Sequence, residues 1–138
     1  MYPKRNLFLL LTLALAAGTV ACLNLAGGCG NDLVKEVRSP GGKMKAVVFQ
    51  RDCGATTGFS TQVSLLSSNK SLPNESGNLF VATTDRGNAP AGAWGGPIVE
   101  ISWTDDANLL LRYDKRAGLS KREESLGGVN IRYETFAP

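Results

Sequence analysis

The 138-residue chain contains no histidine. That absence removes the commonest general base, the commonest zinc ligand and the imidazole of the usual Ser or Cys triads. An excess of one charge sign is missing too. The 15 Lys and Arg residues less Lys4 and Arg5 leave 13, against 12 Asp and Glu. The balance beyond the N-terminus is therefore near +1, and no basic patch of the kind that binds nucleic-acid backbones remains. Lys115-Arg116 and Lys121-Arg122 are answered by Asp114 and Glu123-Glu124, and read as a solvated hairpin. After the N-terminus no segment sustains a 3.6-residue apolar period, so helices are not expected. There is no internal repeat. No set of metal ligands stands out either, because the adjacent Asp105 and Asp106 fit a turn better than a calcium site. These absences argue for no catalytic residues, no cofactor and no metal.

What the N-terminus does have is a targeting pattern. Lys4 and Arg5 precede an apolar run over residues 7–17 that only Thr12 interrupts, and small residues follow. A basic start, an apolar middle and a small-residue exit make a secretory signal. Thr19-Val20-Ala21-Cys22 fits the end of a lipoprotein signal, with Cys22 lipidated; Ala26-Gly27-Gly28-Cys29 is the alternative. Neither has the usual Leu three residues before the cysteine. Residues 7–26 carry no charge and are long enough to span a bilayer, so an uncleaved anchor is the second reading. The expected organisation is a signal or anchor at 1–21, a Gly-rich tether at 22–32 and one domain at 33–138, held at the membrane by an acyl anchor.

Three cysteines in an exported chain leave one odd. Lipid on Cys22 leaves Cys29 and Cys53 to pair in an oxidising compartment. Lipid on Cys29 would leave Cys53 a free thiol, a liability there. The first arrangement is favoured, and its ring would contribute roughly 3 kcal/mol in the chain-entropy model.

Short strands are expected at 33–38, 44–51, 62–66, 78–84, 98–103, 109–113 and 129–135. The second has apolar residues on both faces, with Ala46 and Val48 alternating with Val47 and Phe49, which marks a central strand. Ser39-Pro40-Gly41-Gly42-Lys43 and residues 104–108 read as hairpin turns. Residues 67–78 read as an exposed loop, and the sequons at Asn69 and Asn74 carry no further meaning in a bacterial lipoprotein. Residues 114–128 are charged and suggest a short helical turn or an irregular strand. About seven strands at this spacing predict an all-β, antiparallel small sandwich or curled sheet with hairpins like those of propeller blades. Trp103, in step with Val99 and Ile101, is expected in the core.

Two loops hold the candidate site. Arg51-Asp52-Cys53-Gly54-Ala55-Thr56-Thr57-Gly58 follows the strongest strand, and residues 85–97 set Trp94 among glycines. Trp94, Thr56 and Thr57 are the candidate binding residues, with Trp94 either an exposed anchor or a cap on the open end of the sheet. The competing reading is a hydrolase using Cys53 or Thr56 in the Gly54–Gly58 loop with a carboxylate such as Asp52. It lacks a base in any supporting spacing. The same loop could cradle an anion, but it has no phosphate-loop Lys and no helix pattern after it.

C-G-N-D at 29–32, S-P-G-G-K at 39–43, A-V-V-F-Q-R-D-C-G-A-T-T-G at 46–58 and T-Q-V-S at 61–64 together resemble a family of small, uncharacterised bacterial exported proteins. The resemblance covers most of the chain after residue 29, and R-D-C-G-A-T-T-G is its specific part. Gly41 stands where Asp is expected in the turn, which leaves the turn intact. The resemblance implies a lipoprotein or single-anchor protein with two cysteines in the mature domain, and so the same Cys29–Cys53 pairing. It implies no activity. The expected protein is thus a non-enzymatic, membrane-tethered envelope module. Its partners are membrane lipid, through the anchor, and an envelope protein that the sequence does not identify.

Overall fold

Apolar and polar residues alternate along residues 99–103 and 129–134, while residues 46–49 are apolar on both faces, in the computed structural model, which describes residues 28–54 and 58–136. Among the described residues nine strands form: β1 Gly30–Arg38, β2 Met44–Asp52, β3 Ser60–Ser67, β4 Phe80–Thr83, β5 Val99–Asp105, β6 Asn108–Asp114, β7 Gly118–Arg122, β8 Ser125–Leu126 and β9 Val129–Phe136. They make a five-stranded sheet, in the order β1-β2-β3-β4-β7, and a four-stranded sheet, β5-β6-β9-β8. The inner faces pack together. Ala46, Val48, Val63, Leu65, Phe80 and Ala82 of the first sheet meet Val99, Ile101, Leu109, Leu111, Val129 and Ile131 of the second. Trp103 packs against this core and its Nε1 donates to the carbonyl of Val37 at 3.0 Å. Phe80, Tyr113 and Tyr133 form an aromatic cluster in the same layer.

β2 is buried on both faces, as its apolar run requires: Ala46, Val47, Val48 and Phe49 are all fully enclosed. Its outer face is covered by the polar stretch 68–78. The Oε1 of Gln62, which pairs with Phe49, accepts from the Gly77 amide at 2.6 Å and the Ser76 hydroxyl at 3.0 Å. The Asn31 amide donates to the carbonyls of Pro73 and Glu75, and Asn78 exchanges two bonds with the backbone of Leu65. A Cβ at Gly77 would lie 2.8 Å from the Val63 carbonyl oxygen, so the loop's approach to the sheet requires glycine. The stretch is a surface loop, as expected, but it is stitched down as a cover.

Three expectations are corrected. The sheet is not wholly antiparallel, because β6 and β9 pair in parallel. Parallel neighbours need a crossover, and residues 115–128 supply it. That segment is not a free charged hairpin: β7 joins β4 at the edge of the first sheet, and β8 joins β9 in the second. This also separates the four-stranded sheet from a propeller blade. Finally, β1 begins at Gly30, so residues 30–32 of the expected tether belong to the sheet.

The two ends of the sandwich differ. At one end the 39–43 and 105–108 turns meet, with the Gly41 amide donating to Asp106 Oδ1 at 2.6 Å. Gly42 takes the positive φ of 74° that this turn needs. At the other end β1, β3, β5 and β7 begin and β2, β4, β6 and β9 finish. This is the loop end.

Candidate functional site

The chain joins the loop end beside its covalent brace. Gly30 pairs with Asp52, so Cys29 and Cys53 occupy the next cross-strand positions, and they form a disulfide. Just beyond, Asp52 Oδ1 accepts from the Gly54 amide at 2.9 Å, an Asx-type turn. Arg51 reaches Asn31 Oδ1 at 2.7 Å and Asn74 Oδ1 at 3.3 Å.

The connection from β4 to β5 builds the rest. Asp85 and Arg86 take positive φ of 50° and 60°, turning the chain, and the Asn88 side chain donates to Asp85 Oδ2. A small hairpin follows. Gly92 N donates to Gly96 O at 2.8 Å, Gly95 N donates to Gly92 O at 3.0 Å, and Ala91 bridges Pro97. Trp94 folds back over it, so that a Cβ at Gly92 would lie 2.6 Å from the indole ring. The indole Nε1 donates to Thr61 Oγ1 at 2.8 Å, and that buried hydroxyl donates to Pro97 O at 2.6 Å. The Trp94 carbonyl accepts from Gln50 Nε2 at 2.6 Å. Trp94 is half-buried and serves as a cap.

The ring that is exposed here is Phe59. It lies against Gly95, where any Cβ would strike it, and is 43% exposed. Phe59 was not singled out by sequence because it stands between a polar loop and a strand and belongs to no alternation. The signal available was a large aromatic directly after Gly58 in a segment otherwise rich in small and hydroxyl residues.

Asp114, at the end of β6, is buried and clamped by Arg116, whose Nε and Nη2 donate to its two carboxylate oxygens at 2.9 and 2.8 Å. These side-chain bonds, with the Arg116 amide and against some desolvation, hold the carboxyl down at about 2. The clamp fixes the turn that carries the chain from one sheet to the other. At the opposite end Asp105 is held below the usual carboxylate range, first by the Ala107 amide and then by the Asn108 side chain. Asp105 and Asp106 are therefore occupied as turn residues. Among the described residues no three His, Cys, Asp or Glu side chains gather as a metal site. No helix among them is long and apolar enough to cross a membrane.

The fold brings Trp94, Cys29 and Cys53 to one end. Thr56, Thr57 and Cys22 lie outside the described residues. For the hydrolase reading, the Cys53 sulfur is bound to Cys29 and the Asp52 carboxylate to the Gly54 amide. Comparison with family models, with curated proteins and with solved structures finds nothing that matches this chain.

Proposed function

We propose that the chain is an exported envelope protein, tethered to a membrane by acyl chains on Cys22, whose sandwich is a non-enzymatic module that binds an envelope component through its loop end. The observation that carries this reading is the bracing of that end. A disulfide ties β1 to the end of β2, and the Trp94–Thr61–Pro97 hydrogen-bond relay with the Gln50 contact fastens the 91–97 hairpin to the sheet. Loops fixed on a rigid scaffold are where binding usually resides. With Cys29 and Cys53 paired, Cys22 is the odd cysteine, standing where a lipoprotein signal ends. The family resemblance implies the same arrangement.

Crosslinking in the native envelope tests the binding role. Phe59→Ser should weaken a specific adduct while leaving the fold intact, whereas Trp94→Ala should loosen the fold itself. An adduct pattern indifferent to Phe59 removes the loop end from the argument. Turnover of envelope substrates abolished by Cys53→Ala in a still-folded protein would establish the hydrolase reading instead.

A further inference from the structure

We infer that the loop end is a lipid-contacting face, and that the component it binds is the interface of the same bilayer that holds the anchor. This rests on the tether proposed above. Two independent observations point the same way.

The first is reach. Six residues separate Cys22 from Cys29, the bridged residue at the loop end. Seven Cα steps of at most ~3.3–3.6 Å span about 25 Å. An eight-residue strand at ~3.3 Å per residue is about 26 Å long. The opposite end could touch the membrane only if the tether ran fully extended down the whole side of the sandwich. A shorter tether keeps the loop end, where Cys29 is bridged, next to the lipid and the opposite end away from it.

The second is where apolar surface is left uncovered. Among the described residues the exposed large apolar side chains are Leu33, Phe59 and Leu119, at 61%, 43% and 38%. Phe59 precedes the first residue of β3, Leu119 is the second residue of β7 and Leu33 the fourth of β1. Phe59 and Leu119 therefore sit at the loop end, and Leu33 lies farther along the flank, near the middle of the edge strand β1. Pro90 and Ala91 at the base of the Trp94 hairpin, and Ala93 at its tip, are exposed as well. The opposite end offers Lys43, Asp105, Asp106, Glu123 and Glu124. Aromatic and aliphatic groups on a rim suit the boundary of headgroups and acyl chains. The loop end carries charges of both signs, including Asp52, Asp85, Arg86 and Lys115, so the match is to the apolar interface and not to an anionic headgroup. Tethering raises the effective concentration of the surface, so a contact of a few side chains suffices.

The two tryptophans make the test. Trp94 lies at the loop end, and Trp103, bonded to Val37 O, lies near the opposite one. The acylated full chain is placed in phosphatidylcholine vesicles carrying a spin-labelled headgroup quencher. Trp103→Phe reports Trp94 alone, and its difference from wild type reports Trp103, so Trp94 itself is never altered. Trp94 should be quenched several-fold more than Trp103, and Phe59→Ser with Leu119→Ser should lower that quenching in a folded, acylated protein. Equal quenching of the two, or no response to the double substitution, with acyl chains present on Cys22 by mass, overturns the lipid contact and leaves the tether standing. Absence of acyl chains on Cys22 overturns both.

Discussion

Replacing Cys53 by Ser opens a ring whose ends are 24 residues apart in sequence. In the chain-entropy model a ring of that size is worth roughly 3 kcal/mol, because it denies the unfolded chain its widest separations. Gly30 pairs with Asp52, so the two cysteines occupy the next cross-strand position whether or not they are bonded. The substituted protein should therefore keep its sheet and lose stability. For a urea slope of about 1.5 kcal/mol per M, the midpoint should fall by roughly 2 M with the slope little changed. Cys29→Ser and the double variant should give the same shift as Cys53→Ser alone, since one bond is lost in each case. Urea titrations of the four proteins, with thiol counts on each, check this. Midpoints that coincide between oxidised and reduced wild type would refute the reasoning, as would two free thiols in protein purified from the envelope.

Three other outcomes follow from the packing. Trp94→Ala removes a half-buried indole and strands the Thr61 hydroxyl relay, and should cost about 2–3 kcal/mol by denaturant titration. The Asp114 carboxyl, held at about 2 in the fold against an ordinary value of ~3.9, binds its proton less readily folded than unfolded. Its stabilisation is complete above pH ~4 and is lost as pH falls toward 2. Asp114→Asn should flatten the acid limb of a stability–pH curve in that window. Tyr133 is raised to about 12, chiefly by burial, while its hydroxyl donates to Glu123 O at 2.6 Å. Its contribution is present below pH ~10 and lost as pH rises toward 12, and an ultraviolet difference titration against Tyr133→Phe should show the late ionisation.

Where a single strand decides its own environment, the sequence was readable. The double-faced run at 46–49 announced a central strand, the 39–43 and 104–108 turns announced hairpins, and the cysteine count announced the bridge. Alternation says which residues share a face, but not which strand lies alongside. The parallel partnership of β6 and β9 depends on β7 leaving for the other sheet, and β7 buries too little to mark itself: Leu119 and Ser120 are exposed and Lys121 points its amine at Gly77 O. The cover over Val47 and Phe49 was hidden for a similar reason. It is made by polar side chains, Gln62, Asn31 and Asn78, whose hydrogen bonds span 13 to 44 residues of sequence. At the loop end, Trp94 drew attention by its size, yet the indole is engaged by Thr61, and the exposed ring is Phe59.

The tether is the claim on which both the localisation and the orientation of the loop end depend. Intact-mass measurement of the protein extracted from membranes, beside its Cys22→Ala variant, tests it most directly. The account predicts a mature chain that starts at an acylated Cys22 and carries one disulfide with no free thiol. It also predicts that Cys22→Ala is not acylated. A full-length, unmodified chain recovered from the cytosol, or acyl chains on Cys29 with Cys53 left free, would contradict it.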